Sequence, residues 1–233
     1  MLKLLKRIFL ITFVLIFSVF SCEIYTGYEM YDEAIKNLSI DDMANEVKLK
    51  ENYTSLEEMP EIYKEAVIAV EDHRFYSHNG IDIFAISRAL INDIKAQSFV
   101  EGGSTITQQL AKNTYFTQEK KIERKIAELF MAFKLESELT KNEILELYLN
   151  TSYFGEGCYT VSEASDMYFD KEPKEMDEYE STLLAGIPNA PSVYAPTKNP
   201  DLAVQRQKRV IECMSENGYI DDEEQSELLQ KLN

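Results

Sequence analysis

Tryptophan is absent from this chain, histidine occurs only twice, and cysteine occurs three times. The two histidines lie within six residues of each other, whereas Cys22, Cys158 and Cys213 are scattered. A disulfide framework needs more cysteines, and a structural zinc site needs clustered Cys and His ligands. The composition therefore argues against a small disulfide-rich protein and against a structural metal.

Basic residues are also scarce, because 24 Lys and Arg stand against 41 Asp and Glu, a formal net charge of −17. This charge disfavours nucleic acid as a partner of the whole molecule, although it leaves room for a local basic site. Only 8 Gly and 6 Pro occur, and no Gly/Ser-rich or Pro-rich linker divides the chain after residue 59. A length of 233 residues with a hydrophobic fraction of 45% suits one domain with a full core.

Runs with the alternating pattern of strands are missing, and helical periodicity takes their place. Residues 60–71 and 81–96 each carry an apolar stripe, formed by Ile62, Ala66, Ala69 and Val70 and by Ile83, Ile86, Leu90 and Ile94. Thr140 and Glu143 form a capping box before another helix, and Gly218 separates two more helices over 200–217 and 221–232, with Asp221 as a cap. The sequence predicts a mainly α fold.

The N-terminus carries targeting information. Lys3, Lys6 and Arg7 precede the uncharged run "IFLITFVLIFSVFSC", residues 8–22. This pattern fits an uncleaved signal anchor, a lipoprotein signal that ends at Cys22, or a cleaved signal peptide. In each case the bulk of the chain lies outside the cytoplasmic membrane. Residues 1–22 are the predicted anchor, the polar and acidic residues 23–58 a membrane-proximal stalk, and residues 59–233 the folded domain.

The stretch "VIAVEDHRFYSHNG", residues 67–80, ends an apolar run on four ionisable residues. A carboxylate at the end of an apolar helix is partly shielded from water, which suits Glu71 to act as a base, with Arg74 one turn on as a counter-charge. The alternative is a glutamate that caps the helix or forms an ion pair.

The stretch "EGGSTITQQLAKN", residues 101–113, is dense in polar side chains. They are Ser104, Thr105, Thr107, Gln108, Gln109, Lys112 and Asn113. This density of polar side chains suits a groove that hydrogen-bonds a sugar or a phosphate. The alternative is an amphipathic helix whose polar face is simply exposed to solvent.

Residues 120–139, "KKIERKIAELFMAFKLESEL", follow with a cationic helix. Ile122, Ile126, Leu129, Phe130 and Phe133 form a predicted core-facing stripe, and Lys121, Arg124, Lys125 and Glu128 lie on the other side. A surface Arg124–Glu128 salt bridge is the simple explanation. However, residues 112–134 hold six basic residues (Lys112, Lys120, Lys121, Arg124, Lys125 and Lys134) against three acidic ones, which predicts an anion there.

Five motifs together, "EDHRFYSHNGID", "GGSTITQQLAKN", "RKIAELFMAFKLE", "KNEILELYLNTSYFGEG" and "LLAGIPNAPSVYAP", resemble the signature blocks of the family 51 peptidoglycan glycosyltransferases. The resemblance covers roughly residues 50–215. It implies a mainly α, lysozyme-like domain with a larger lobe and a small membrane-associated jaw lobe. Asp170 stands where relatives frequently have Gly.

The family polymerises lipid II into glycan strands, so the resemblance implies that activity, at the bacterial membrane and on its outer side. It assigns Glu71 as catalytic base and Glu128 as the second acidic residue. Arg74, Ser104, Thr105, Gln108, Gln109, Lys112, Asn113, Arg124 and Lys125 become expected substrate-binding residues. Lys112, Arg124 and Lys125 would hold the donor's pyrophosphate. No organic cofactor is expected, and a divalent cation, Mg²⁺ or Mn²⁺, is left open.

Two other functions fit parts of the sequence. A lysozyme-like glycan-cleaving enzyme could also use one Glu, but it would not require the cationic cluster or an anchor. A catalytically silent scaffold among other cell-wall synthesis proteins would not require Glu71 and Glu128. The chain carries no S-x-x-K or K-T-G motif, so we expect a monofunctional enzyme that does not bind penicillin.

Overall fold

The computed structural model describes residues 2–96, 102–117, 119 and 121–232. Within these ranges helices dominate and no strand occurs apart from an isolated bridge between Gly155 and Cys158. The helices are α1 (Leu2–Asn37), α2 (Ile40–Lys48), α3 (Glu61–Glu71), α4 (Ile83–Ala96), α5 (Ile106–Tyr115), α6 (Ile122–Glu138), α7 (Lys141–Leu149), α8 (Val161–Phe169), α9 (Glu178–Gly186), α10 (Pro191–Tyr194), α11 (Pro200–Glu216) and α12 (Asp222–Gln230). The predicted mainly α class is confirmed.

Capping boxes fix where several helices begin. The predicted box at Thr140 and Glu143 is confirmed at the start of α7, and Asp221 caps α12 as expected. In each box the side chain of the cap accepts a backbone N–H of the first turn, which satisfies a group that has no partner inside the helix. Asp170 ends α8 in the left-handed conformation, with φ of 55°.

The core joins two groups of helices. Helix α3 packs against α9 and α11, and α5 packs against α6 and α7. Fully buried side chains such as Tyr63, Phe75, Leu110, Met131 and Tyr148 fill the space between them. This arrangement brings the end of α3, the outer face of α5 and one face of α6 into one neighbourhood.

The N-terminal region differs from the predicted stalk. Helix α1 continues past the apolar run to Asn37, and the α2 residues Ile40, Met43 and Val47 belong to the hydrophobic core. The core therefore reaches back into residues that the sequence placed in the stalk. By length and composition α1 could cross a membrane, and its apolar side chains from Leu5 to Phe20 are exposed.

The predicted core stripe of α6 is wrong at both ends, because Ile122 is 65% exposed and Phe133 is 51% exposed. The buried face of α6 consists of Ala127, Glu128, Met131, Ala132 and Leu135. Much of the apolar stripe instead meets α1: Tyr28 and Tyr31 contact the ring of Phe130, and Gly27 lies against Ile126. Sequence periodicity identified an apolar face but not the helix that covers it.

The apolar stripe predicted for α4 is also exposed where its side chains are described. Ile83 and Ile86 reach the surface, and Ala89 is buried instead. The side chains of Leu90 and Ile94 lie outside the described residues.

Candidate functional site

Glu71 is the last residue of α3, and its carboxylate is held by two neighbouring helices. Gln109 Nε2 of α5 donates to Glu71 Oε2 at 2.8 Å, and Arg206 of α11 lies 3.4 Å from Glu71 Oε1. The side chain is only 7% exposed. Each oxygen of the carboxylate thus accepts one hydrogen bond, from an amide or from a guanidinium.

The counter-charge of Glu71 is therefore Arg206, and the expectation that Arg74 fills this role is wrong. Arg74 forms a two-pronged pair with buried Asp82, with N–O distances of 2.9 and 2.8 Å, and lies over the ring of Phe84. This pair closes the turn after α3. Contact of Arg74 with substrate stays a prediction.

Asp72, the next residue, joins the end of α3 to the start of α5. Its buried carboxylate accepts from His78 Nε2 at 2.9 Å and from the backbone N–H of Ile106 at 3.0 Å. The Thr105 hydroxyl adds a second link by donating to the Gly80 carbonyl at 2.7 Å. These bonds set the position of α5 relative to Glu71.

The polar residues of 104–113 divide into two groups. Thr105 and Gln108 are buried and form the capping box of α5, and Thr107 donates to Glu136. Gln109, Lys112 and Asn113 are half-buried. The structure thus gives Thr105 and Gln108 a capping role, and their contact with substrate stays a prediction.

Glu128 of α6 lies at the centre of a cationic cluster. Its side chain is 1% exposed and accepts from Arg124 and from Lys125 Nζ, the latter at 2.9 Å. Lys125 Nζ also donates to Ser104 Oγ at 2.7 Å, which ties α6 to the segment before α5. One carboxylate therefore orients two cations that were expected to bind substrate.

Lys112 of α5 interacts electrostatically with both Glu71 and the α6 cluster. Burial lowers the pKa of its ammonium, as do Lys125 and Arg124, while Glu128 and Glu71 oppose that shift. Among the residues that the structure describes, no side chain or backbone group forms a hydrogen bond or ion pair with the Lys112 ammonium. A half-buried cation without a protein partner can pair with an anionic ligand.

The other basic residues of 112–134 lie away from this cluster. Exposed Lys121 pairs with Glu119, and Lys134 pairs with Glu138. Lys120 lies outside the described residues. The local positive charge at the site is thus carried by Lys112, Arg124 and Lys125.

A cleft of about 540 Å³ opens beside Glu71. Its lining is mostly polar and includes His73, Arg88, Asn189, Tyr194, Arg206 and Arg209. Burial lowers the pKa of His73, and the charge of Arg88 adds to that effect. Glu71 therefore faces open space large enough for part of a sugar.

Two residues near Glu71 were not predicted from the sequence. Ala203, Arg206 and Val210 are spaced i, i+3 and i+7, and the first and last are buried. Arg206 is thus a charged residue on the buried face of α11. Tyr148 is fully buried in α7 and contacts Gln109. The interrupted stripe was the available signal for Arg206, whereas Tyr148 looks like an ordinary core residue.

The carboxylate of Glu128 is occupied by protein cations. Both carboxylate oxygens are engaged by cationic side chains. Within the described ranges no group of three His, Cys, Asp or Glu side chains could hold a metal ion. Mg²⁺ is often bound by only one or two carboxylates together with phosphate oxygens of a substrate, so a divalent cation that bridges a bound pyrophosphate stays a prediction.

Comparison with known proteins agrees with the resemblance. The family model described as "Transglycosylase" matches residues 37–215. Penicillin-binding protein 1F of Bacillus subtilis (strain 168) is 47% identical over 170 residues, which are 73% of this chain and 24% of that protein. Penicillin-binding protein 1A of Aquifex aeolicus (strain VF5) is 45% identical over 182 residues, 78% of this chain and 25% of that protein. The chain thus spans about a quarter of the length of these relatives.

A solved structure, penicillin-binding protein 1A from Haemophilus influenzae, aligns with a TM-score of 0.45 and 23% identity, covering 76% of this chain and 17% of the other. The family match begins near the end of α1 and includes every residue predicted for the site. On that match, the chain belongs to the transglycosylase family.

Proposed function

We propose that this protein polymerises lipid II into β-1,4-linked glycan strands and releases undecaprenyl pyrophosphate. The observation that carries the proposal is a doubly hydrogen-bonded Glu71 beside an open cleft, with Lys112 interacting electrostatically with Glu71 and with Arg124, Lys125 and Glu128. Such a site provides a base and an anion-binding surface as separate parts.

The two parts match the needs of the reaction. A pyrophosphate-linked donor has a good leaving group, so cations that stabilise its developing charge matter more than an acid. Lys112, Arg124 and Lys125 would supply them, with Glu128 orienting the last two. Glu71 would remove the proton of the acceptor's 4-hydroxyl as that oxygen attacks C1 of the donor, and one displacement converts an α-linked donor into a β-linked product. No organic cofactor enters this scheme.

The membrane supplies both substrates. Helix α1 is the proposed anchor. With its basic N-terminal end toward the cytoplasm, the usual orientation, the catalytic domain would lie on the outer side. Growing strands and other cell-wall synthesis proteins are its proposed partners.

A glycan-cleaving enzyme is less well supported. Cleavage begins with protonation of the leaving oxygen by a carboxylic acid. Each oxygen of Glu71 accepts a hydrogen bond, from Gln109 or from Arg206, whereas an acid would have to donate from one of them. The contacts of Glu71 thus suit a base.

The test uses the full-length protein in detergent with fluorescently labelled lipid II and, separately, with finished glycan. We expect strand growth from lipid II and no shortening of glycan. Glu71→Gln should keep the helical spectrum and melting temperature and reduce the rate by about 10²-fold to 10⁴-fold. Shortened glycan without strand growth would overturn the proposal.

Two further measurements are added to this assay, a control variant and a chelator. Glu65→Gln changes another glutamate of α3, away from the cleft lining, and should leave the rate unchanged. A chelator arm tests the divalent cation that the sequence left open.

A further inference from the structure

Gln109, which contacts Glu71, is itself held by a tyrosine. The hydroxyl of Tyr148 in α7 lies 3.3 Å from Gln109 Oε1, on the opposite side of the amide from Glu71. Tyr148 is fully buried and Gln109 is half-buried, so little water reaches the hydroxyl. Three side chains from three helices thus form one chain of hydrogen bonds.

The donors and acceptors in this chain have a single consistent order. An ionised carboxylate only accepts hydrogen bonds, so the NH₂ end of Gln109 must face Glu71. The carbonyl end then faces Tyr148, and because a carbonyl also only accepts, the tyrosine hydroxyl must donate to it. The phenol thereby determines which end of the amide meets the carboxylate.

We propose that Tyr148 is a positioning residue for Glu71: it holds the Gln109 amide in the orientation that favours the ionised carboxylate. This inference rests on the proposed role of Glu71 as a base. A protonated Glu71 would need a carbonyl in place of the NH₂ group, and reversing the amide would set its NH₂ against the hydroxyl and force that hydroxyl to reorient. The tyrosine thus makes protonation of Glu71 less favourable.

Other charges also act on Glu71. Arg206 of α11 contacts it directly, and Lys112 of α5 interacts with it electrostatically. Asp72, the next residue, is paired with His78, and His73 lines the same cleft. Tyr148→Phe leaves all of these groups in place, so a change in pH dependence reports on the hydrogen-bonded chain.

The variant Tyr148→Phe removes one hydroxyl and keeps the buried ring. Without that donor both orientations of the Gln109 amide become available, and Glu71 is protonated more readily. We expect the acid limb of the kcat/KM profile for lipid II polymerisation to move up by about half to one pH unit, with rates that converge with wild type at higher pH.

Tyr63→Phe is the matched control. Tyr63 is another fully buried tyrosine, on the same helix as Glu71, and its hydroxyl has no hydrogen-bond partner within the described part of the chain. Its removal should leave the acid limb where it is. An equal shift in both variants, or no shift in Tyr148→Phe, would overturn the proposal.

A double-mutant cycle separates positioning from a general effect on the fold. Gln109→Leu removes the donor to Glu71, and it should shift the acid limb at least as far as Tyr148→Phe does. Because Tyr148 acts through Gln109, adding Tyr148→Phe to Gln109→Leu should produce no further shift. A second, additive shift would contradict the proposed order of contacts.

A readout independent of turnover distinguishes this proposal from the proposed function. In protein labelled with ¹⁵N-glutamine, the side-chain amide signal of Gln109, identified by its loss in Gln109→Leu, should titrate with Glu71. The midpoint should lie at higher pH in Tyr148→Phe than in wild type. If the two midpoints differ in this way but the wild-type protein does not polymerise lipid II, the proposed function is refuted and the positioning role stands. Equal midpoints in wild type and Tyr148→Phe would refute the positioning role.

Discussion

Lys125 Nζ lies 2.9 Å from Glu128 Oε2, although the lysine side chain is 44% exposed and the glutamate only 1%. The pair therefore runs from the core to the surface, with its negative end inside. Arg124 contacts the same carboxylate and is itself mostly covered. Glu128 thus holds Lys125 with its ammonium at the surface and Arg124 beneath it, an arrangement that fits the proposed binding of an anionic donor.

Glu128→Gln should damage both stability and activity. The amide would leave Arg124 and Lys125 without their buried counter-charge, a loss of about 2–4 kcal/mol in the free energy of unfolding, reduced by the solvent around Lys125. Chemical denaturation measures this change. Glu138→Gln, which breaks the exposed Lys134–Glu138 pair on the same helix, should change stability by less than about 0.5 kcal/mol. Equal effects of the two variants would show that the Glu128 pair is an ordinary surface contact.

Lys112 should lose its charge at a lower pH than an ordinary lysine, because burial lowers its pKa. If its charge holds the donor's pyrophosphate, the KM for lipid II will rise as pH increases through that pKa. Lys112→Arg keeps a positive charge at these pH values and should move this alkaline limb upward. Lys134→Arg, at the Lys134–Glu138 pair, is the control and should leave the profile unchanged; a shift there, or an unmoved limb in Lys112→Arg, would contradict the assignment.

Gly27→Ala should loosen the contact between α1 and α6. A Cβ atom at residue 27 would lie 2.6 Å from Ile126 Cγ2 and 2.8 Å from the backbone oxygen of Glu123, so a helix must move. We expect a loss of about 1–3 kcal/mol, measured by thermal unfolding in detergent. Thr26→Ala, one residue earlier and exposed, should be nearly neutral. A Gly27→Ala protein as stable as wild type would show that the two helices separate at no cost.

Asp170→Gly should raise the free energy of unfolding by about 0.5–1 kcal/mol. The left-handed conformation is unfavourable for a residue with a side chain, and glycine adopts it without strain. Asp166→Gly, inside α8, should not stabilise the protein, since glycine weakens a helix interior. Denaturant midpoints compare the two variants. A destabilised Asp170→Gly protein would mean that the aspartate side chain contributes more than the backbone conformation costs.

Much of the fold could be read from local chemistry. The Thr140–Glu143 box, the Asp221 cap and the helical class follow from residue types a few positions apart. The buried face of α6 could not be predicted from local chemistry. An apolar stripe indicates that another element covers it, but it does not identify that element. The helix that covers the apolar stripe of Ile126 and Phe130 is α1, about a hundred residues earlier, and the contact depends on a glycine without a side chain.

The site was predictable to a similar degree. Motif spacing predicted Glu71 and the cluster of Arg124, Lys125 and Glu128 as site residues, and their catalytic and binding roles stay predictions; the structure places Gln109 against Glu71. Arg206 and Tyr148 were missed because their contacts with this site span 135 and 39 residues. Arg74 was misread for the opposite reason: its nearness in sequence suggested a contact with Glu71, and the chain turns so that Asp82 receives it instead.

Because α1 is one unbroken helix, the distance between its apolar segment and its contact with α6 is fixed. Gly27 meets α6 only five residues beyond Cys22, a rise of about 8 Å along a helix. With α1 inserted as proposed, the beginning of α6 would be held at the depth of the lipid headgroups, whose layer is several ångströms thick. A substrate whose pyrophosphate is fixed at that depth by its own lipid tail would then meet Arg124 and Lys125 without being lifted out of the membrane.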